Sequence, residues 1–291
     1  MGKAAERDDT VDDAIDADDR EERAQKARVP ARAAGGASAQ DQYQWSWLKN
    51  TYTIARREFW SYFDSPLAYV VLGLSLLALG AYFFFWQDNA FWQADRASMA
   101  RMFSAFPVVL CFVCSVVTMR SLAEEKRMGT LELLITMPVR DSEVIIGKYL
   151  GALGLICVLL AASLLYPIAM FAWPWHLGPL DWGVVVTAYF GLVLFAAASI
   201  AVGLLFSSVT ESQIIALFVT MAVLLLLYGF GLGETLFKGA VGDTLAFISS
   251  SSRYQPFARG LIDTRAVVYF LSITVLALLI AFRNLESRKW S

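Results

Sequence analysis

An all-α membrane protein with six transmembrane helices is the fold class this sequence predicts. Three observations carry it. Apolar residues make up 57% of the chain and charged residues 17%, against about 45–50% and about 25% in ordinary soluble domains. The charge is also missing in blocks, because residues 1–42 alone hold eleven of the twenty-six acidic residues and seven of the twenty-four basic ones. Finally, six stretches each meet or approach the roughly twenty apolar residues that a helix needs to cross a bilayer core. These spans fall at about 66–86, 103–120, 144–172, 183–206, 213–232 and 265–283. Their apolar cores (66–86, 103–118, 149–172, 183–206, 214–232 and 266–282) hold no Asp, Glu, Lys or Arg. Helices are the element for such runs, since lipid offers a backbone N–H or C=O no partner of its own.

Residues 1–42 read as a disordered acidic tail. They contain no aromatic residue, so they bury too little apolar surface to offset the entropy of ordering. They have no apolar stretch of the signal-peptide kind. From Tyr43 the character changes. Wound as a helix, 43–64 puts Trp45, Leu48, Tyr52, Ala55, Phe59 and Tyr62 on one face and Ser46, Lys49, Asn50, Thr53, Arg57 and Ser61 on the other. That is the pattern of an amphipathic helix lying in the membrane interface. Asp64-Ser65-Pro66 ends it, and proline suits the first turn of the span that follows.

Lys and Arg near span ends fix the orientation. With the N-terminus inside, eleven fall on cytoplasmic segments (from Lys49 and Arg57 through Arg120, Lys126 and Lys148 to Lys289). Six fall outside, from Arg96 to Arg265. Both termini are therefore expected in the cytoplasm, with 284–291 as a short tail. The stretch 233–265 is the main outer element, holding short amphipathic pieces. Glu234-Thr235-Leu236-Phe237 starts one of them.

The stretch Met119 to Arg140 carries the most information. It is too long for a tight turn and too apolar for a solvated loop. Ser121 and Glu124 have capping-box spacing, and Glu124, Glu125, Lys126 and Arg127 form one charged cluster. Gly129 breaks the pattern. Thr130 to Met137 then forms a short helix with Leu131, Leu134 and Ile135 on one face, stopped by Pro138. Asp141 or Ser142 is placed to cap span three. The apolar face of that short helix needs cover, from the membrane interface or from a cytosolic partner; the residues alone leave both open.

The run Met119-Arg-Ser-Leu-Ala-Glu-Glu-Lys-Arg-Met-Gly-Thr-Leu-Glu-Leu-Leu-Ile-Thr-Met-Pro-Val139, followed by Gly147-Lys148-Tyr149-Leu150, closely resembles the first cytoplasmic loop of ABC-2 type permeases. The likeness is greatest to the subfamily of gliding-motility and copper/nitrous-oxide-maturation transporters. Arg259-Gly-Leu-Ile-Asp-Thr-Arg265 and Leu285-Glu-Ser-Arg-Lys-Trp290 fit that subfamily too, and the likeness runs from about residue 50 to the end. It implies a transmembrane permease subunit paired with a second one, of the same or a related chain, and driven by a separate cytosolic P-loop ATPase. That partner would bind the ATP and Mg; the permease itself would hold no cofactor or metal. In this reading 43–64 is the interfacial connecting helix and the loop after span two is the coupling helix, with Glu124, Glu125, Gly129, Thr130, Leu131, Glu132 and Pro138 as its parts. The turn 207–212 is a second, smaller cytoplasmic contact, although the spacing of Thr210 and Gln213 also fits a capping box. The setting is the bacterial inner membrane, with room for a periplasmic auxiliary subunit. The alternative is a force-transmitting or scaffolding subunit that moves no solute.

What the sequence lacks narrows the function further. Gly147-Lys148 has neither the upstream glycine nor the following Ser/Thr of a P-loop. Cys111 and Cys114 form a CxxC inside an apolar run, a setting for packing rather than redox or metal chemistry. The single histidine, His176, has no carboxylate or cysteine near it in sequence. The chain without its tail is almost neutral, which is no footprint for nucleic acid. Apolar cores free of charge argue against an ion-coupled carrier or a channel. Gly147 with Gly151, and Ser199 with Gly203, have the small-xxx-small spacing of close helix contacts.

Overall fold

The computed structural model describes residues 39–85, 99–129, 140–171, 181–232 and 239–287. Among the described residues every regular element is helical. α1 runs Ala39–Asp64, reaching back past the Tyr43 boundary suggested by composition. It stops at Ser65, and α2 starts at once with proline in its first position, Pro66–Phe85. α3 is Ala100–Thr118 and the short α4 is Ala123–Arg127. α5 is Asp141–Ser163, α6 Leu165–Phe171, α7 Trp182–Val209 and α8 Gln213–Gly229. Beyond a 3₁₀ turn at Phe230–Leu232 come α9 (Ala240–Ile248), α10 (Ser250–Ala258) and α11 (Thr264–Ser287).

Six helices are long and apolar enough to cross a membrane: Pro66–Phe85, Met102–Arg127, Asp141–Ala169, Trp182–Val209, Gln213–Leu232 and Thr264–Glu286. The third departs from the even span expected over 144–172. It breaks at Leu164 into α5 and α6. Pro167 explains the break, because it lacks the N–H that would bond the Ser163 carbonyl and its ring crowds that carbonyl.

α7 is the centre of the bundle and touches α3, α4, α5, α8, α10 and α11. Of its most apolar window, 72% is buried in the chain's own interior, against 17% for Gln213–Leu232 and 22% for Pro66–Phe85. The outer spans turn large side chains such as Leu77, Phe218 and Leu279 away from the chain. Phe103, Phe106, Phe195, Phe257 and Phe270 fill the interior. In lipid such helices gain little from the hydrophobic effect and rely on close packing instead. The Ser199–Gly203 spacing has that use: Gly203 lies so close to Thr118 of α3 that a Cβ there would collide with it.

The caps at the starts of α5 and α8 differ from the sequence expectation. Span three begins at Asp141 with Arg140 as its cap residue, and neither Asp141 nor Ser142 caps it. Instead the Glu143 carboxylate reaches back and accepts the Arg140 N–H at 3.3 Å. α8 begins after Ser212 with no side-chain cap. Thr210 does not form a box with Gln213; its hydroxyl donates to the Phe206 and Ser212 carbonyls. In the outer element, Ser249 caps α10, and α10 buries Tyr254 and Phe257 among the spans. The Glu234–Phe237 piece and His176 lie outside the described residues.

Candidate functional site

Five residues make α4 little more than one turn, far below the length at which a helix persists alone. Its survival depends on what it is tied to. The expected Ser121–Glu124 capping box does not form: the cap position is Leu122, and no side chain of α4 satisfies the first N–H groups. They are satisfied from another helix. Ser207, near the end of α7, places its Oγ 3.1 Å from both the Leu122 and the Ala123 N–H. The Lys126 ammonium donates to the neighbouring Ser208 carbonyl. Asn284 of α11 donates to the Ser208 hydroxyl at 3.2 Å. Ser207 and Ser208 are both buried. They therefore serve as internal anchors, and of the turn 207–212 only its later part is open to a partner.

The second tie is ionic. Lys148 lies two turns inside α5 and only 4% of it is exposed. A buried ammonium needs a counter-charge, and Lys148 has two. Its Nζ is 2.7 Å from Glu125 Oε1 of α4 and 3.4 Å from Glu58 Oε2 of α1. Glu58 arrives there because α1 lies in a groove of small residues on α5. A Cβ on Gly147 would sit 2.6 Å from the Ile54 side chain, and one on Gly151 would sit 2.7 Å from Glu58 Cβ. Only glycine lets the two backbones approach so closely. Burial pushes the Glu58 carboxyl above the ordinary carboxylate range; Lys148 opposes that and Glu125 adds to it. A third tie joins the same helices: Asn50 of α1 donates to the buried Glu143 at 3.2 Å.

These ties surround a cleft of about 370 Å³, with Arg120, Glu124 and Lys148 at its polar end and Val71, Val117 and Leu155 along its apolar wall. Tyr62 and Ser121 also line it. Burial raises the Tyr62 phenol, and the Ser121 hydroxyl offsets part of the shift. The two oxygens are close, yet neither makes a hydrogen bond of good geometry among the described residues.

The expected site residues divide by this geometry. Glu125 is the ionic link to Lys148. Glu124 faces Arg120 at 3.9 Å with both side chains more than a third exposed, a pairing worth little in itself. Gly129 has φ +67° and ends the turn after α4, donating its N–H to the Lys126 carbonyl. Thr130, Leu131, Glu132 and Pro138 lie outside the described residues. On α1, Leu48 and Tyr52 are exposed, while Phe59 turns inward against Gly154. The single apolar face thus splits into an outward and an inward part; the Trp45 side chain lies outside the described residues.

Lys148 and Glu58 were not among the expected site residues, and Ser207 was expected only within the turn 207–212, as part of a smaller cytoplasmic contact. Lys148 carried a readable signal, a cation bordering the apolar core of a span. Glu58 carried a weaker one, an acid amid aromatic residues. Cys111 and Cys114 are free and buried. Among the described residues no group of three His, Cys, Asp or Glu could hold a metal. At the α4 junction, α4, α5, α1 and the end of α7 meet at one set of contacts.

A family model described as ABC-2 family transporter protein matches residues 9–283. The chain belongs to the ABC-2 transporter family. No curated protein matches it. The match begins inside the acidic segment, well before the point near residue 50 where the sequence likeness starts. In this ABC-2 permease the six spans form the membrane component of an ABC transporter. Permeases of the family have no ATPase site of their own and normally work with a cytosolic ATPase. At the polar junction, α4, the shortest α-helix among the described residues, is fastened to α5, α1 and α7.

Proposed function

We propose that this permease takes its drive from a separate cytosolic P-loop ATPase seated on the segment 119–140, and that α4 passes the resulting force into the bundle. One observation supports this most: α4 is held on three sides, to α5 and α1 through Glu125, Lys148 and Glu58, and to α7 through Ser207 and Ser208. Its far end, Arg127, Met128 and Gly129, is exposed. A push there cannot be absorbed by α4 alone. It shifts Lys148 with α5 and Glu58 with α1, the coordinated motion needed to rock spans between inward-facing and outward-facing states.

On this reading ATP and Mg bind to the partner, and the working unit pairs two permeases of the same or a related kind. Both termini lie in the cytoplasm of a bacterium, the spans cross its inner membrane, and a periplasmic subunit completes the assembly. The likeness of Glu124–Glu132 to the gliding-motility and nitrous-oxide-maturation subfamily supports export or envelope work as the output. Transport in proteoliposomes separates cargo movement from pure force transmission.

The deciding experiment is affinity purification of the full chain from its native membrane, with mass spectrometry of what accompanies it. We expect a stoichiometric P-loop ATPase, lost from the E124A/L131A double variant while membrane insertion is unchanged. No ATPase after mild detergent and crosslinking, or equal recovery with the double variant, overturns the proposal.

A further inference from the structure

At the opposite end of the bundle from α4, a groove of about 550 Å³ opens between α9, α10 and the start of α11. Among the described residues its charged lining is wholly basic, Arg253 and Arg265. Arg253 is fixed in place. Its Nε and Nη2 both donate to the Phe247 carbonyl at 3.3 Å, and its guanidinium lies 4.4 Å from the Phe247 ring centre and 5.8 Å from that of Tyr269. Tyr269 is itself held, donating its hydroxyl to the Ile248 carbonyl. The bonds to Phe247 leave further N–H groups of Arg253 to aim elsewhere, since a guanidinium has five. Arg265 stands exposed on the first turn of α11, and its guanidinium has no partner among the described residues.

Below Arg265, Val268 and Ser272 continue the same lining. The spacing of 265, 268 and 272 keeps all three on one helix face, over a length of about 10 Å at 1.5 Å per residue. Val268 is 56% exposed. The groove is thus basic at its mouth, and apart from the small hydroxyls of Thr264 and Ser272 the rest of its lining is Phe247, Val268 and Tyr269. Guanidinium groups bind phosphate oxygens through paired N–H donors, and basic pockets among membrane helices suit anionic head groups. A soluble anion would use the mouth and leave the descending stripe uncovered; a lipid covers both.

We infer that this groove binds an anionic phospholipid, its phosphate between Arg253 and Arg265 and one acyl chain along Val268 and Ser272. The leaflet, outer on the orientation proposed above, rests on that reading; the binding does not, and neither does its test.

Native mass spectrometry of the detergent-purified full chain, titrated with phosphatidylglycerol or phosphatidylcholine, tests the site directly. Phosphatidylglycerol should bind at least about fivefold more tightly. R265Q should cost about fivefold, and R253Q/R265Q about tenfold or more, each cation near a head group contributing on that order. R265Q decides the matter if R253Q disturbs α9, because the Arg265 side chain braces nothing described. Equal binding of the two lipids, or undiminished phosphatidylglycerol binding by R265Q, overturns the inference. Displacement by inorganic phosphate without any lipid preference also overturns it, and assigns a soluble anion instead.

Discussion

Lys148 draws two glutamates that would otherwise repel each other into one buried contact, and its removal takes away the cation between them. Breaking a buried pair costs about 3–5 kcal/mol when nothing relieves it. Glu58 and Glu125 keep 21% and 25% of their side chains exposed, so we expect K148M to cost about 2–3 kcal/mol. Thermal unfolding of the solubilised chain measures this. The K148M/E125Q combination should cost less than the sum of the single changes, as coupled neighbours do. Glu58 adds a pH signature. Burial favours its protonated form in the folded chain, so folding takes up a proton between the ordinary value of about 4.3 and the raised one. Stability should fall as pH rises through that window and level off above it. Lys148 limits the fall, Arg57 also opposes it and Glu125 deepens it. E58Q should remove it; a pH series that leaves wild type and E58Q parallel contradicts the assignment.

Among the elements, α4 shows how a helix too short to exist alone is kept by its neighbours. Ser207 satisfies two buried N–H groups at once, and each left unsatisfied costs about 1–3 kcal/mol. S207A should therefore fray α4 before it disturbs the spans. Hydrogen exchange should speed up at least about tenfold over residues 122–127 and stay unchanged in α7; uniform exchange changes would refute a local role. This is also where sequence reading reached its limit. The spans were legible because hydropathy is a local property, read window by window. The charged cluster on α4 was legible for the same reason. The partners were not: Glu58 and Lys148 are 90 residues apart, and no local pattern couples them. The Ser121–Glu124 spacing misled because a serine from a different helix won the N–H groups. The Gly147–Gly151 spacing announced a close contact without naming its occupant, which proved to be α1.

For the whole molecule, the bundle is organised around α7, with the buried ion pairs of the described residues at one end and an arginine-lined groove at the other. On the orientation proposed above, the α4 end faces the cytoplasm. Single cysteines placed in a cysteine-free background check this. Arg127→Cys and Ser287→Cys should label only from the cytoplasmic side with an impermeant maleimide, and Arg259→Cys only from outside. Labelling of Ser287→Cys from outside would reverse the orientation and, with it, the site proposed for the ATPase. The large side chains on α2, α8 and α11 that face away from the chain leave ample area for lipid and for a second permease.

The groove that receives α1 also sets a timetable for biosynthesis. α1 leaves the ribosome before any span, but its seat on Gly147, Gly151 and Gly154 belongs to the third span, roughly 100 residues later. At about 5–20 residues per second α1 waits on the order of 5–20 seconds for its seat to be translated and inserted. If α1 is the interfacial helix proposed from its sequence, Leu48, Tyr52 and Trp60, exposed in the finished fold, are the side chains that would rest on the bilayer surface during that delay.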